Sequence, residues 1–142
     1  PIWRHGGITF GPRNERNYSE KINKKMRVEA LASVLSKKFA DGEVLFVESL
    51  SLGKPSTAEA KRFTLALAKG AGAGALATKK TNAALLALAS YEANAIKSFR
   101  NLGHVKTEEA RNLNPVDLMT HKYLIIENPE ASLKTLANRM SK

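Results

Sequence analysis

A chain of 142 residues, 43% hydrophobic and 25% charged, has room for one ordinary domain that buries a core without disulfides or metal, and the composition argues against wholesale disorder. Cysteine is absent, which excludes a disulfide framework, a thiolate metal site and a cysteine nucleophile, and fits a reducing compartment. Lys and Arg number 23 against 13 Asp and Glu, giving a net charge of +10 and a pI near 10.0, so a polyanionic partner is the first expectation.

No stretch approaches the roughly 18 to 20 apolar residues that span a bilayer, and the N-terminus lacks a signal-peptide layout, so a soluble protein without a membrane partner is expected. The sequence opens Pro1-Ile2-Trp3 rather than with Met, which fits processing, an excised fragment or further upstream sequence.

Residues 1 to 22 show neither helical nor strand periodicity, and Pro1, Gly6, Gly7, Gly11 and Pro12 interrupt both. An extended arm over 1–22 and a globular domain over 23–142 are expected. From Met26 to Phe39, Val28, Leu31, Leu35 and Phe39 recur at steps of three and four, which predicts an amphipathic helix with Asn23 as N-cap and Gly42 as its stop. Val44-Leu45-Phe46-Val47 is a continuous apolar run rich in β-formers and reads as a central strand covered on both faces. Ser56 and Glu59 have capping-box spacing and open a helix to about Lys69.

The Gly70-Ala71-Gly72-Ala73-Gly74-Ala75 tract is of low complexity and reads as a loop. Ala83 to Ala89 suits either helix or buried strand, and the alternation of elements around it favours a strand. A helix over Glu92 to Leu102, a brief strand over His104 to Thr107, and a short helix from Asn114-Pro115 through Met119 follow. Tyr123-Leu124-Ile125-Ile126 is a clear strand. Asn128-Pro129 repeats the cap-and-proline device before a last helix carrying Ala131, Leu133, Leu136, Ala137 and Met140. Strands alternating with helices predict an α/β fold, a single domain with a mostly parallel four-stranded sheet and helices on both faces, preceded by an extended basic N-terminal arm.

Charge is concentrated at the start. Between Pro1 and Arg27 seven cations, Arg4, Arg13, Arg16, Lys21, Lys24, Lys25 and Arg27, face only Glu15 and Glu20, a local excess of +5. Trp3, His5, Gly6, Gly7, Phe10, Gly11, Pro12 and Tyr18 are interleaved with them. Each residue type has a use on RNA: Arg and Lys neutralise phosphates, aromatic faces stack on unpaired bases, and Gly lets backbone come close. A solvated basic tail with scattered aromatics is the alternative.

The order of these residues carries a resemblance. Pro1-Ile2-Trp3-Arg4-His5-Gly6-Gly7-Ile8-Thr9-Phe10-Gly11-Pro12-Arg13, then Tyr18-Ser19, Asn23-Lys24-Lys25-Met26 and Ala30-Leu31, closely resembles the family of the fourth large-subunit ribosomal protein, universal L four, in its bacterial form. Arg100-Asn101-Leu102 and Asn114-Pro115-Val116-Asp117-Leu118 resemble the same family in the same order. The resemblance implies a globular α/β domain on the outer side of the large subunit, with a long loop that threads into rRNA and helps line the peptide exit tunnel. Trp3 to Arg13 would be the returning limb of that loop, and the family's N-terminal portion upstream of it is absent here. By the same resemblance, the RNA-binding residues are the arm's cations, aromatics and glycines named above together with Arg100. The Gly70 to Gly74 tract, and Ser90 to Asn94 with Glu92 as its lone acid, depart from the family pattern.

Other constellations are weaker. His5, His104 and His121 have no metal-ligand spacing and no Cys partner. Gly70-x-Gly72-x-Gly74 is neither a dinucleotide fingerprint nor a P-loop. Glu108 and Glu109 read as solvated charges rather than an acid/base pair. The resemblance implies a non-enzymatic structural constituent of the large ribosomal subunit, located on cytoplasmic ribosomes. Its expected partners are large-subunit rRNA and neighbouring ribosomal proteins, and no catalytic residue, cofactor, metal or small-molecule substrate is expected. A small α/β nucleotide-binding enzyme and an off-ribosome RNA-binding regulator are the competing readings.

Overall fold

The computed structural model describes residues 2–141, so Pro1 and Lys142 lie outside the described residues. Six helices and four strands follow in the order α1 (Lys24–Ala40), β1 (Val44–Val47), α2 (Thr57–Gly70), α3 (Ala75–Thr78), β2 (Ala84–Leu88), α4 (Ala93–Phe99), β3 (Val105–Glu109), α5 (Pro115–Thr120), β4 (Tyr123–Glu127) and α6 (Pro129–Ser141). A single 3₁₀ turn, Ala110–Asn112, separates β3 from α5.

All strands are parallel, in the order β1-β4-β2-β3. Parallel neighbours need crossovers, and helices supply them on both faces. On one face Leu86, Leu88 and Ile125 pack with Ala60, Leu76, Ala95 and Phe99 from α2, α3 and α4. On the other, Leu85, Ala87, Leu124 and Ile126 meet Leu31, Leu118 and Leu136 from α1, α5 and α6. The alternation of consecutive residues between faces is the pleat of a strand. It settles the ambiguous Ala83 to Ala89 run, where Ala84 to Leu88 are all buried.

The cap signals act as local physics requires. The Asn114 side chain accepts the Asp117 N–H at 2.7 Å and the Ser56 hydroxyl accepts that of Glu59 at 3.4 Å. Gly42 takes φ +70 and closes α1 by donating to Phe39 O. Asn23 stands at the N-cap of α1 without a side-chain cap bond. Within the glycine-rich tract, α2 runs on to Gly70 and Gly72 turns at φ +65. The one-turn helix α3 then begins at Ala75, where Leu76 gains burial in the core.

Three expectations are corrected. β1 is an edge strand, bonded only to β4, and Phe46 is 47% exposed. A continuous apolar run reports hydrophobic surroundings but not a second neighbouring strand. An apolar groove of about 340 Å³ explains the run's composition: Phe39, Val44, Phe46, Ile126, Leu133 and Met140 line it. On α1 the buried stripe is Leu31 and Lys38, while Phe39 is 68% exposed. Third, β3 extends to Glu109, so Glu108 and Glu109 are half-buried strand residues on Lys106 and Arg111 respectively.

Lys38 is buried because its ammonium group spends its three donors on fixed oxygens. It donates to His121 O at 2.9 Å, Lys122 O at 2.6 Å and the Glu43 carboxylate at 2.9 Å. This pins the C-terminal end of α1 to the loop entering β4. Replacing Lys38 with Met keeps the volume and strands three acceptors. Charge-assisted hydrogen bonds of this kind are worth about 1.5–3 kcal/mol, and a loss of that size in urea unfolding at pH 7 is expected.

Candidate nucleic-acid interface

Residues 2–23 form no helix or strand, and all of them except Gly11 are exposed. The local order comes from turns. Gly6 N–H donates to Trp3 O at 2.9 Å while His5 takes φ +62, and Arg16 N–H donates to Arg13 O at 3.4 Å. The Asn17 side-chain oxygen accepts the Ser19 N–H at 2.9 Å. A Cβ on Gly11 would meet Ile8 Cγ2 at 3.3 Å, whereas Gly7 has open space around it.

The aromatics of the arm point away from any core: Trp3 is 82% exposed, Phe10 87% and Tyr18 70%. The Arg16 guanidinium stacks over the Tyr18 ring at 5.1 Å, presenting a cation and a π-face together. Arg4, Arg13, Lys21, Lys24, Lys25 and Arg27 have no carboxylate partner among the described residues. Gly6, Pro12 and His5 lie on the same exposed stretch. Large exposed apolar faces thus stand beside cations that have no carboxylate partner among the described residues.

Lys24, Lys25 and Arg27 continue the arm onto the first turn of α1. Lys24 and Arg27 line a cleft of about 270 Å³ with Val28, Leu31, Met140 and Arg139, whose guanidinium is aimed by bonds to Arg111 O and Leu113 O. Arg100 is not part of this group. It is the C-cap of α4, exposed, beside the loop that enters β3. The sequence-predicted residues of the arm thus run along the chain into those of the first turn of α1, while Arg100 lines a different cleft.

In open parallel sheets, small ligands bind at the C-terminal ends of the strands. Here Glu127, the last residue of β4, fills that crevice. Its carboxylate accepts Leu50 N–H at 3.1 Å, beyond β1, and Ala89 N–H at 3.3 Å, beyond β2. One side chain thereby ties three strand ends and brings a negative charge to the place where an anionic ligand would sit. No group of three His, Cys, Asp or Glu residues among the described residues could hold a metal ion. Likewise, no described helix is long and apolar enough to cross a membrane.

Sequence reasoning missed Lys38, Glu127 and the pairing of Lys106 with Asp117. Lys38 was visible in principle, since it stands seven residues after Leu31 on the apolar stripe. Asp117 stands in the first turn of α5, as expected, and also receives the Lys106 ammonium at 2.8 Å and the Asn114 amide at 2.6 Å. The donated Lys106 hydrogen bond holds the Asp117 carboxyl below its ordinary range, and Asp117 in turn raises Lys106.

Residues 1–139 match the sequence model of the Ribosomal protein L4/L1 family. Among curated relatives, the large ribosomal subunit protein uL4 of Desulforudis audaxviator (strain MP104C) is 42% identical over 126 residues, covering 89% of this chain and 55% of that protein. The uL4 of Dehalococcoides mccartyi (strain ATCC BAA-2266 / KCTC 15142 / 195) is 36% identical over 89% of this chain and 54% of its own length. That of Desulfotalea psychrophila (strain LSv54 / DSM 12343) is 31% identical over 91% and 55%. The chain therefore spans about half the length of the curated relatives it matches.

The sign of the Asp117–Lys106 linkage is definite. A depressed carboxyl contributes stability above its unfolded value, near 3.9, and that contribution fades as pH falls through the folded value. A raised ammonium contributes below about 10.5 and fades as pH rises through its folded value. With Lys106 42% exposed at its side chain, solvent screening limits the pair to about 1 kcal/mol. Asp117→Asn should therefore be less stable than the parent by about that much at pH 7. In chemical denaturation series the gap should narrow below about pH 4 and above about pH 10.5.

Proposed function

The chain belongs to the ribosomal protein L4/L1 family, and from that premise we infer that it is a structural constituent of the large ribosomal subunit, one that binds large-subunit rRNA and performs no catalysis. The observation that carries this reading is the arm: a run of unpaired cations and aromatics, exposed throughout, with no core of its own.

Physical chemistry gives the arm its mode of action. A segment with a local excess of +5 gains little by collapsing on itself, and it becomes ordered when RNA supplies counter-charge and stacking surfaces. Arg4, Arg13, Arg16, Lys21, Lys24, Lys25 and Arg27 take phosphates. Trp3, His5, Phe10 and Tyr18 take unpaired bases, and Gly6, Gly7, Gly11 and Pro12 let the backbone lie close to sugars and phosphates.

The arm leads directly into α1, and α1 is locked to the sheet by Lys38. RNA held by the arm is thereby held at a fixed place on the domain, which is how such a protein supports subunit assembly. Its other partners are neighbouring large-subunit proteins. The place that the resemblance of its motif implies is on the ribosome, near the peptide exit tunnel.

Binding of this kind depends steeply on salt, because every neutralised phosphate releases counterions. Purified protein should bind large-subunit rRNA in preference to a scrambled RNA of equal length. Replacing Arg4, Arg13, Lys24 and Lys25 together with Gln should reduce the slope of log K against log salt by about 3, at roughly 0.7–0.9 per contact. Equal binding to both RNAs in filter-retention titrations would remove the rRNA assignment.

A further inference from the structure

Apolar surface is left over in two places that the chain itself connects. The groove of about 340 Å³ is lined by Leu35 and Phe39 of α1, Val44 and Phe46 of β1, and Leu133 and Met140 of α6, and the rest of its lining is apolar too. Its side chains offer RNA neither a cation nor a hydrogen-bond donor. Phe39, Phe46 and Leu133 stand exposed along it. In the arm, Ile2, Trp3, Ile8, Phe10 and Ile22 are exposed as well.

The groove is continuous with the root of the arm. The cleft beside Lys24 and Arg27 contains Val28, Leu31 and Met140, and Met140 also lines the groove. One trough therefore follows the seam between α1 and α6, from the first turn of α1 to Phe39. The fifteen residues from Lys24 to Phe39 span on the order of 22 Å at 1.5 Å per residue. Phe10 stands fourteen residues before Lys24, a contour of about 46 Å at 3.3 Å per residue. The arm thus reaches the far end of the trough with its turns at Arg13 to Arg16 and Asn17 to Ser19 kept. A tight bend at Thr9 and Phe10, with Ile8 against Gly11, holds two large apolar side chains within one short segment.

Strand pairing is not the mode of contact. Helices α2 and α3 cross from β1 to β2 over one face, and α5 returns from β3 to β4 over the other, so both crossovers have one hand. An arm strand laid parallel on the free edge of β1 would reach β1 through α1, on the α5 face, with the opposite hand. Insertion of side chains between α1 and α6 carries no such restriction.

We propose that in the RNA-free chain the arm folds back along this trough and seats Ile8 and Phe10 on Phe39 and Phe46, in equilibrium with the extended arm described above. The contact is autoinhibitory. Phe10 is one of the aromatics assigned to unpaired bases, and a seated Phe10 cannot stack on RNA. Apparent RNA affinity then falls in proportion to the fraction of chains that are open. Salt acts on closure and on RNA binding in opposite directions. Pro1 to Arg27 and the remaining residues each carry +5 of the net +10, so screening favours closure while it weakens RNA binding.

Competition with RNA rests on the rRNA reading above, whereas closure does not, and separate measurements address them. Trp3 is the only tryptophan and cysteine is absent. A reporter chain carrying Trp3→Phe and Phe10→Trp therefore places its one indole on the seated segment. Acrylamide quenching of that indole should rise roughly twofold when Phe39→Gln and Phe46→Thr are added, as for an equilibrium near even. Without those two changes, protection should strengthen with salt. On the parent background, with diamide as oxidant, Phe10→Cys with Phe39→Cys should close a disulfide within one chain several times faster than Phe10→Cys with Leu65→Cys, on α2 across the sheet. This comparison holds even if the trough substitutions alter stability. Unchanged quenching, or equal disulfide rates, overturns closure. Protection that grows with protein concentration assigns the trough to a second copy and overturns it as well. In filter titrations the chain with Phe39→Gln and Phe46→Thr should bind large-subunit rRNA roughly twofold more tightly than the parent. Equal affinity overturns the autoinhibition, and a parent that fails to prefer rRNA overturns the functional reading while closure stands on the first two measurements.

Discussion

Complete burial of the two central strands is the constraint on which the rest of the molecule depends. Residues 83 to 88, and Leu124 to Ile126, expose 2% or less of their surface. Both faces of the sheet must then be covered by helices, and no polar side chain can act from within it. All the charge chemistry is pushed to the two rims where strands enter and leave.

Each rim is closed by one charged residue whose hydrogen bonds are met by the protein itself. Glu127 gathers backbone N–H groups where the strands end, and Lys38 gathers backbone carbonyls where they begin. The signs follow from the topology. In right-handed crossovers, helix N-termini face the C-terminal ends of the strands and favour an anion there, while helix C-termini at the opposite rim favour cations. A fold of the type that elsewhere binds nucleotides therefore has its usual crevice filled by a carboxylate, and its spare positive charge lies on the opposite rim and on the arm.

Much of this was legible in the sequence, for identifiable reasons. The helices were marked by caps that work locally: Asn114 with Pro115, Ser56 with Glu59, Gly42 after α1. The strand Tyr123 to Glu127 was marked by its composition. The arm was marked twice, by charge density and by the order of its motif. What escaped depends on contacts between residues far apart in the chain. Nothing near Val44 to Val47 says that only one neighbour pairs with it. Nothing near Glu127 says that residues 50 and 89 will present their N–H groups to it. Lys38 is intermediate, since its position on an apolar stripe gave a local sign of burial while its partners at 121 and 122 did not. The cleft beside Arg100 is assembled from three loops, and spacing along the chain carries no trace of it.

The edge position of β1 has a consequence for the behaviour of the isolated chain. Its outer side offers unpaired backbone donors and acceptors along Val-Leu-Phe-Val, with Phe39 and Leu133 exposed nearby. Such an edge is a template for association with another strand, unlike β3 at the opposite edge, whose Lys106, Glu108 and Glu109 discourage it. Three features restrain β1: it is only four residues long, Glu43 and Glu48 flank it as gatekeepers, and the net charge of +10 keeps copies apart. The last of these is weakened by salt. At high ionic strength the repulsion between copies of this basic chain is therefore lost while the apolar edge remains, and association through β1 is favoured.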